Sequence, residues 1–166
     1  SIRYPMTDSY SVLIFDLDNT LVLSDNLKTL RDARLWGQVL RSLDQTTIPA
    51  GTLLFLEKIR RDYEIPIAIV TRAPRHYAEG LLRHHAINFD VLIAYHDVKR
   101  TKPDPEGVLL VAEKLGTNSR NCIYIGDPDG GVDRQTALNS GSTYIEIDWN
   151  SQKASWDNVM AVIERL

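Results

Sequence analysis

Two carboxylates two residues apart, Asp16 and Asp18, stand directly after the apolar run Val12-Leu13-Ile14-Phe15. An unbroken apolar run of this kind reads as a strand buried on both faces of a parallel sheet. The carboxyl end of such a strand is where open α/β sheets bind ligands. One carboxylate there can attack an electrophile while the other moves a proton. Thr71, Lys102, Asp127 and Asp133 also fall at or after apolar runs, and a parallel sheet gathers its strand ends into one cleft. The chemistry that suits this set is phosphoryl transfer. A phosphate ester is an anion that repels a bare carboxylate, and a divalent metal together with a lysine neutralises it. An acidic, oxygen-rich site with few imidazoles suits magnesium. Asp16 and Asp127 can supply carboxylates to one metal, and Lys102 supplies a fixed cation. Thr71 can donate a hydroxyl to a phosphate oxygen, and Asp18 can protonate the leaving oxygen. An Asp-x-Asp triplet alone carries little weight, because it also occurs as a polar strand end with capping acids.

The elements that must position these groups alternate along the chain. Strands are expected at 12–15, 67–70, 91–95, 121–125 and 143–147. Helices are expected at 27–43, 51–63, 76–85, 105–115, 133–140 and 155–166. The first carries Leu27, Leu30, Ala33, Leu40 and Leu43 on one stripe, weakened by Gly37. Pro49 precedes the second, Gly116 and Gly141 close the fourth and fifth, and Ser155 caps the last. Strands separated by helices imply right-handed βαβ crossovers and a parallel sheet.

Bulk properties bound the reading. A chain of 166 residues is expected to form one domain. Hydrophobic residues are 43% and charged residues 25%, ordinary values for a globular chain. A net charge of −3 argues against a dedicated nucleic-acid binder. No apolar run approaches the ~20 residues needed to span a bilayer. Ser1 to Tyr10 lacks the apolar core of a secretory leader, so a cytoplasmic location is expected. Cys122 is the single cysteine, lies in an apolar strand pattern and reads as a small core residue. The chain opens on Ser1, which leaves open whether it is whole or an excised domain.

Asp-Leu-Asp-Asn-Thr, Ile-Val-Thr-Arg, Thr-Lys-Pro-Asp-Pro and Ile-Gly-Asp occur in this order over about residues 12–147. Each is weak alone, but four in order resemble the haloacid-dehalogenase-like (HAD) hydrolase superfamily, phosphatase branch. The resemblance implies a Rossmann-like three-layer α/β/α fold with a central parallel sheet of order 5-4-1-2-3. It implies Asp16 as the nucleophile forming an aspartyl-phosphate and Asp18 as general acid, then base. It also implies Mg²⁺ bound by Asp16, the backbone carbonyl of Asp18 and Asp127. Thr71 and Lys102 would hold the phosphate, and Arg72 is a further phosphate-binding candidate. Retention of an acid at Asp18 favours phosphate esters over carbon–halogen or phosphonate substrates.

The last motif departs from the family pattern. Five residues separate Asp127 from Asp133, where the family places three or four. Counting back from Gly141 supports Asp133 as the second acid and a further metal-ligand candidate, with a glycine-rich insertion before it; Asp129 is the rival second ligand. Arg75, Lys99 and Arg100 could enrich the cleft in positive charge. The interval of 55 positions from Asp16 to Thr71 leaves room for a small helical insert at about 22–48, not a cap domain. The expected protein is therefore one domain, 1–166, with a cleft covered at most by that insert. Such a cleft suits a large phosphorylated partner, or a small substrate enclosed by a second subunit. A phosphotransferase or mutase, and a non-catalytic regulatory domain on the same fold, are the rival readings.

Overall fold

The structure, a computed structural model, describes residues 10–166. Residues 1–9 of the stretch read above as leaderless lie outside it. The strands are β1 (Val12–Phe15), β2 (Ile67–Val70), β3 (Val91–Ile93), β4 (Cys122–Gly126) and β5 (Thr143–Glu146). The five strands pair in parallel in the order β3-β2-β1-β4-β5, which is the expected 5-4-1-2-3 read from the other edge. β1 is central, with Phe15 opposite Ile69 on one side and Ile125 on the other.

The helices are α1 (Lys28–Asp32), α2 (Trp36–Arg41), α3 (Thr52–Lys58), α4 (Arg75–His84), α5 (Glu106–Lys114), α6 (Val132–Ser140) and α7 (Trp156–Glu164). Alternate strand residues feed two separate cores. Leu13, Phe15, Ile67, Ile69, Ile123 and Ile125 pack with Phe55, Tyr77, Leu81 and Trp156 from α3, α4 and α7. Val12, Ile14, Ala68, Val70, Cys122 and Tyr124 pack on the other face with Val108, Val111 and Ala137 from α5 and α6. Strands covered on both faces must be apolar at every position, which is why their runs are continuous rather than alternating. Among the described residues no helix is long and apolar enough to cross a membrane.

The expected single helix over 27–43 is instead two short helices, α1 and α2, flanked by 3₁₀ turns. The break is a Schellman closure: Arg34 N–H donates to Arg31 O at 2.9 Å and Leu35 N–H to Leu30 O at 3.0 Å. Arg34 takes the left-handed conformation this closure needs, with φ 57°. The interruption resets the helical phase, so Val39 is buried while Ala33 is exposed and Leu40 only partly covered. An antiparallel bridge between Leu23 and Thr47 ties the two ends of the insert together. Behind it α4 offers Gly80, where an added Cβ would come within 3.2 Å of Leu40 Cδ2. A side chain at Gly80 would require Leu40 to give way by a few tenths of an ångström. The third strand also ends early, because Tyr95–Asp97 turns as a 3₁₀ segment.

Candidate active site

The carboxyl ends of β1, β2 and β4 converge on one cavity of about 1170 Å³. At the end of β1, Asp16 N–H donates to Ile125 O at 3.0 Å, which fixes the backbone that carries the carboxylate. The chain then folds back on itself, with the N–H groups of Thr20, Leu21 and Val22 all directed to Leu17 O. Asn19 holds φ 63° in this turn, a conformation asparagine tolerates better than most side chains. This brings Asp16 and Asp18 to the same cavity.

Lys102 is the centre of the site. It is buried, and its Nζ lies 2.9 Å from Asp16 Oδ1, 2.9 Å from Asp133 Oδ1, 3.0 Å from Tyr124 Oη and 3.1 Å from Val70 O. Tyr124 Oη in turn donates to Asp133 Oδ1 at 2.7 Å. Burial opposes the ammonium charge, but Asp16, Tyr124 and Asp133 outweigh it and hold the Lys102 pKa well above its ordinary value. Burial likewise opposes the Asp133 charge, and Lys102 and Tyr124 overcome it, so that carboxyl sits below the usual range. Asp16 fares differently. Burial, partly offset by Lys102 and reinforced by Asp133, raises it to about 7. Burial and the charge of Asp16 raise Asp127 to about 8. Carboxylate oxygens of Asp16, Asp127 and Asp133 lie within 4.8 Å of one another.

Gly126 permits this clustering. A Cβ at that position would stand 2.5 Å from both Cβ and Oδ2 of Asp133, inside any tolerable contact. The glycine-rich insertion forms a 3₁₀ turn, Asp129–Gly131, with Gly130 and Gly131 at φ 58° and 71°. That turn leaves Asp129 exposed at the cavity mouth while Asp133, at the start of α6, points inward and is buried. Thr71 follows β2, is buried and accepts from Ala73 N–H at 3.0 Å. Arg72 also lines the cavity, but is exposed. Lys99 and Arg100 are exposed; their backbone N–H groups donate to Glu106. Arg75 pairs with Asp97 and Glu79. Those three cations are thus not brought to the acids.

Asp18 has partners that sequence reading missed. Its Oδ1 accepts from Ser24 Oγ and Tyr77 Oη, each at 2.6 Å, and its Oδ2 lies 3.0 Å from Arg31 Nη2. Tyr77 is fully buried, and burial and the Asp18 charge push its pKa far upward, so it remains a donor. Tyr124 was the legible omission. It is a tyrosine in an otherwise aliphatic strand, and a buried phenol needs a polar partner. Ser24, Arg31 and Tyr77 gave no such signal, since only folding brings them to Asp18. Trp36 lies at the cavity wall, 5.7 Å from the Tyr77 ring.

A family model described as haloacid dehalogenase-like hydrolase matches residues 26–147. The fructose-1-phosphate phosphatase of Escherichia coli is 32% identical over 84 residues, 49% of this chain and 44% of its own length. The validoxylamine A 7'-phosphate phosphatase of Streptomyces hygroscopicus is 34% identical over 84 residues, 49% of this chain and 39% of its own. The chain thus spans less than half the length of these curated relatives. Among solved structures, a HAD-superfamily hydrolase from Geobacter sulfurreducens superposes with a TM-score of 0.77 at 14% identity, covering 92% of this chain and 99% of that one. A HAD phosphatase from Thermococcus onnurineus superposes at 0.75 with 20% identity, covering 92% and 97%. Likeness at this identity concerns the fold.

Proposed function

Because the chain belongs to the haloacid dehalogenase-like hydrolases, we propose that it is a Mg²⁺-dependent phosphatase acting through an aspartyl-phosphate on Asp16. The observation that carries this reading is the buried Lys102, held between Asp16 and Asp133 at 2.9 Å each, beside Asp127 in one cavity. Three clustered carboxyl groups share one ammonium, burial and mutual charge raise two of them, and all the donors are oxygen. That set fits a small hard divalent cation. Asp16 and Asp127, with the backbone carbonyl of Asp18, would hold it, and Asp133 would act chiefly by fixing Lys102. When bound, the ion offsets the charge of the phosphate and of its transition state.

The chain's own residues carry the steps. Asp16 attacks phosphorus, and the bond to the leaving oxygen breaks as Asp18 delivers a proton to it. Lys102 offsets charge on the phosphoryl oxygens, and the Thr71 hydroxyl, whose oxygen already accepts from Ala73 N–H, directs its hydrogen to one of them. Asp18 then takes a proton from water as that water attacks the phosphorus of the aspartyl-phosphate, restoring Asp16. Relatives named for small phosphorylated metabolites favour a small substrate. The test is turnover of p-nitrophenyl phosphate with Mg²⁺, with chelator, and by Asp16→Asn. Acid–base groups of this kind are typically worth about 10²–10⁴-fold, and the loss at Asp16 should be at least that large. Undiminished turnover by metal-free protein, or by Asp16→Asn, overturns the reading.

A further inference from the structure

Arg31 stands between the insert and the acid–base carboxylate. Both oxygens of Asp18 are already committed: Oδ1 to Ser24 and Tyr77, and Oδ2 to Arg31. The carboxylate has about four acceptor sites and three are taken, so a leaving oxygen that approaches Oδ2 meets Arg31 at the same atom. Ser24 and Tyr77 are buried and hold the inner oxygen, whereas the Arg31 side chain is 23% exposed and lines the cavity. Arg31 is the exchangeable partner. Its guanidinium carbon lies over the Tyr77 ring, 4.7 Å from the centroid, a cation–π contact that helps hold it at the cavity wall. Its Nε is buried and has no hydrogen-bond partner, so the single contact to Asp18 leaves this guanidinium incompletely satisfied. A guanidinium fork matches a carboxylate or phosphate with two parallel hydrogen bonds.

Geometry also fixes what can reach it. A leaving oxygen must come within roughly 2.6–3.2 Å of Asp18, and Arg31 is 3.0 Å from that same carboxylate. A group a few bonds beyond the ester oxygen therefore falls beside Arg31. We propose that Arg31 is a specificity residue that receives a second oxyanion carried on the leaving group, a carboxylate or a phosphate, and thereby frees Asp18 for the ester. The substrate class is then small phosphate monoesters bearing another acidic group. This rests on the phosphatase reading above.

The test is binding calorimetry on Asp16→Asn with Mg²⁺, using three-carbon probes that differ at one end: glycerol 3-phosphate, 3-phosphoglycerate and glycerol 1,3-bisphosphate. One or both acidic probes should bind about 10–100-fold more tightly than glycerol 3-phosphate, the range of a charged hydrogen-bonded pair. Whichever gains identifies the oxyanion. Adding Arg31→Gln should erase that preference, and adding Arg31→Lys, which keeps a charge without the fork, should retain part of it. Equal affinity for all three probes, binding of none, or a preference surviving Arg31→Gln overturns the proposal. Wild-type turnover of p-nitrophenyl phosphate, measured alongside, reports on the phosphatase reading independently of the binding result.

Discussion

Tyr124→Phe removes one oxygen from the centre of the site and leaves the ring in place. Lys102 has three hydrogens facing four acceptors: Asp16 and Asp133 at 2.9 Å, Tyr124 at 3.0 Å and Val70 O at 3.1 Å. Without the phenol, three acceptors remain for three hydrogens, and the ammonium stays satisfied. Asp133 Oδ1 loses the donor at 2.7 Å but keeps Lys102. The net loss is one charge-assisted hydrogen bond with no new cavity, about 1.5–3 kcal/mol. For a chain of this size each kcal/mol shifts Tm by about 2–4 °C. The expected fall is therefore about 3–12 °C, with aryl phosphatase activity lowered because Asp133 holds Lys102 less firmly. Lys102→Met should be worse, about 3–5 kcal/mol, because it strands buried charge. Thermal unfolding by circular dichroism separates the cases. An unchanged Tm for Tyr124→Phe, or a fall as large as that of Lys102→Met, would refute this arrangement of donors and acceptors.

Gly126→Ala forces its new methyl against Asp133, with contacts of 2.5 Å; overpacking of this kind costs about 1–3 kcal/mol. Activity should fall with Tm, and a variant with wild-type values for both contradicts the packing. The raised carboxyls give a pH dependence. Asp16 at about 7 and Asp127 at about 8 hold protons in the metal-free fold that the unfolded chain releases near 3.8, so both disfavour the fold increasingly as pH rises through that window. The Tm gain from added Mg²⁺ should accordingly be larger at pH 8.5 than at pH 6, and a flat or inverse trend counts against a cation held by these two acids. Burial pushes the Cys122 thiol up to about 11. It should resist alkylation at pH 8 in the native protein and react on unfolding, and rapid native labelling would show that the strand is not packed as described.

The sheet was legible because doubly covered strands cannot hide: every residue of β1, β2 and β4 is buried, and the sequence shows unbroken apolar runs. Asp16 and Asp127 were legible for the same reason, since each follows such a run directly. The insert was not. Its Schellman break at Arg34 uses an arginine where glycine is the usual signal, so the apolar stripe over 27–43 looked continuous. The glycines before Asp133 did announce an irregular turn, and it is this turn that separates the exposed Asp129 from the buried Asp133. The partners of Asp18 come from 6, 13 and 59 positions away, and no local pattern marks them. Contacts created by closure of the fold stay silent in one sequence.

The proposed mechanism turns on a phosphoryl group carried covalently by Asp16, and Asp18→Asn tests it most directly. An aryl phosphate has a good leaving group that needs no protonation, so this variant should complete the first step. It lacks the base for the second. Mixed with p-nitrophenyl phosphate and Mg²⁺, it should release a rapid burst of one nitrophenol per protein and then slow sharply. Borohydride reduction of the quenched sample should convert Asp16, and no other aspartate, to homoserine. Wild-type protein that turns over, paired with an Asp18→Asn variant that gives neither burst nor a reduced residue at position 16, would contradict the account.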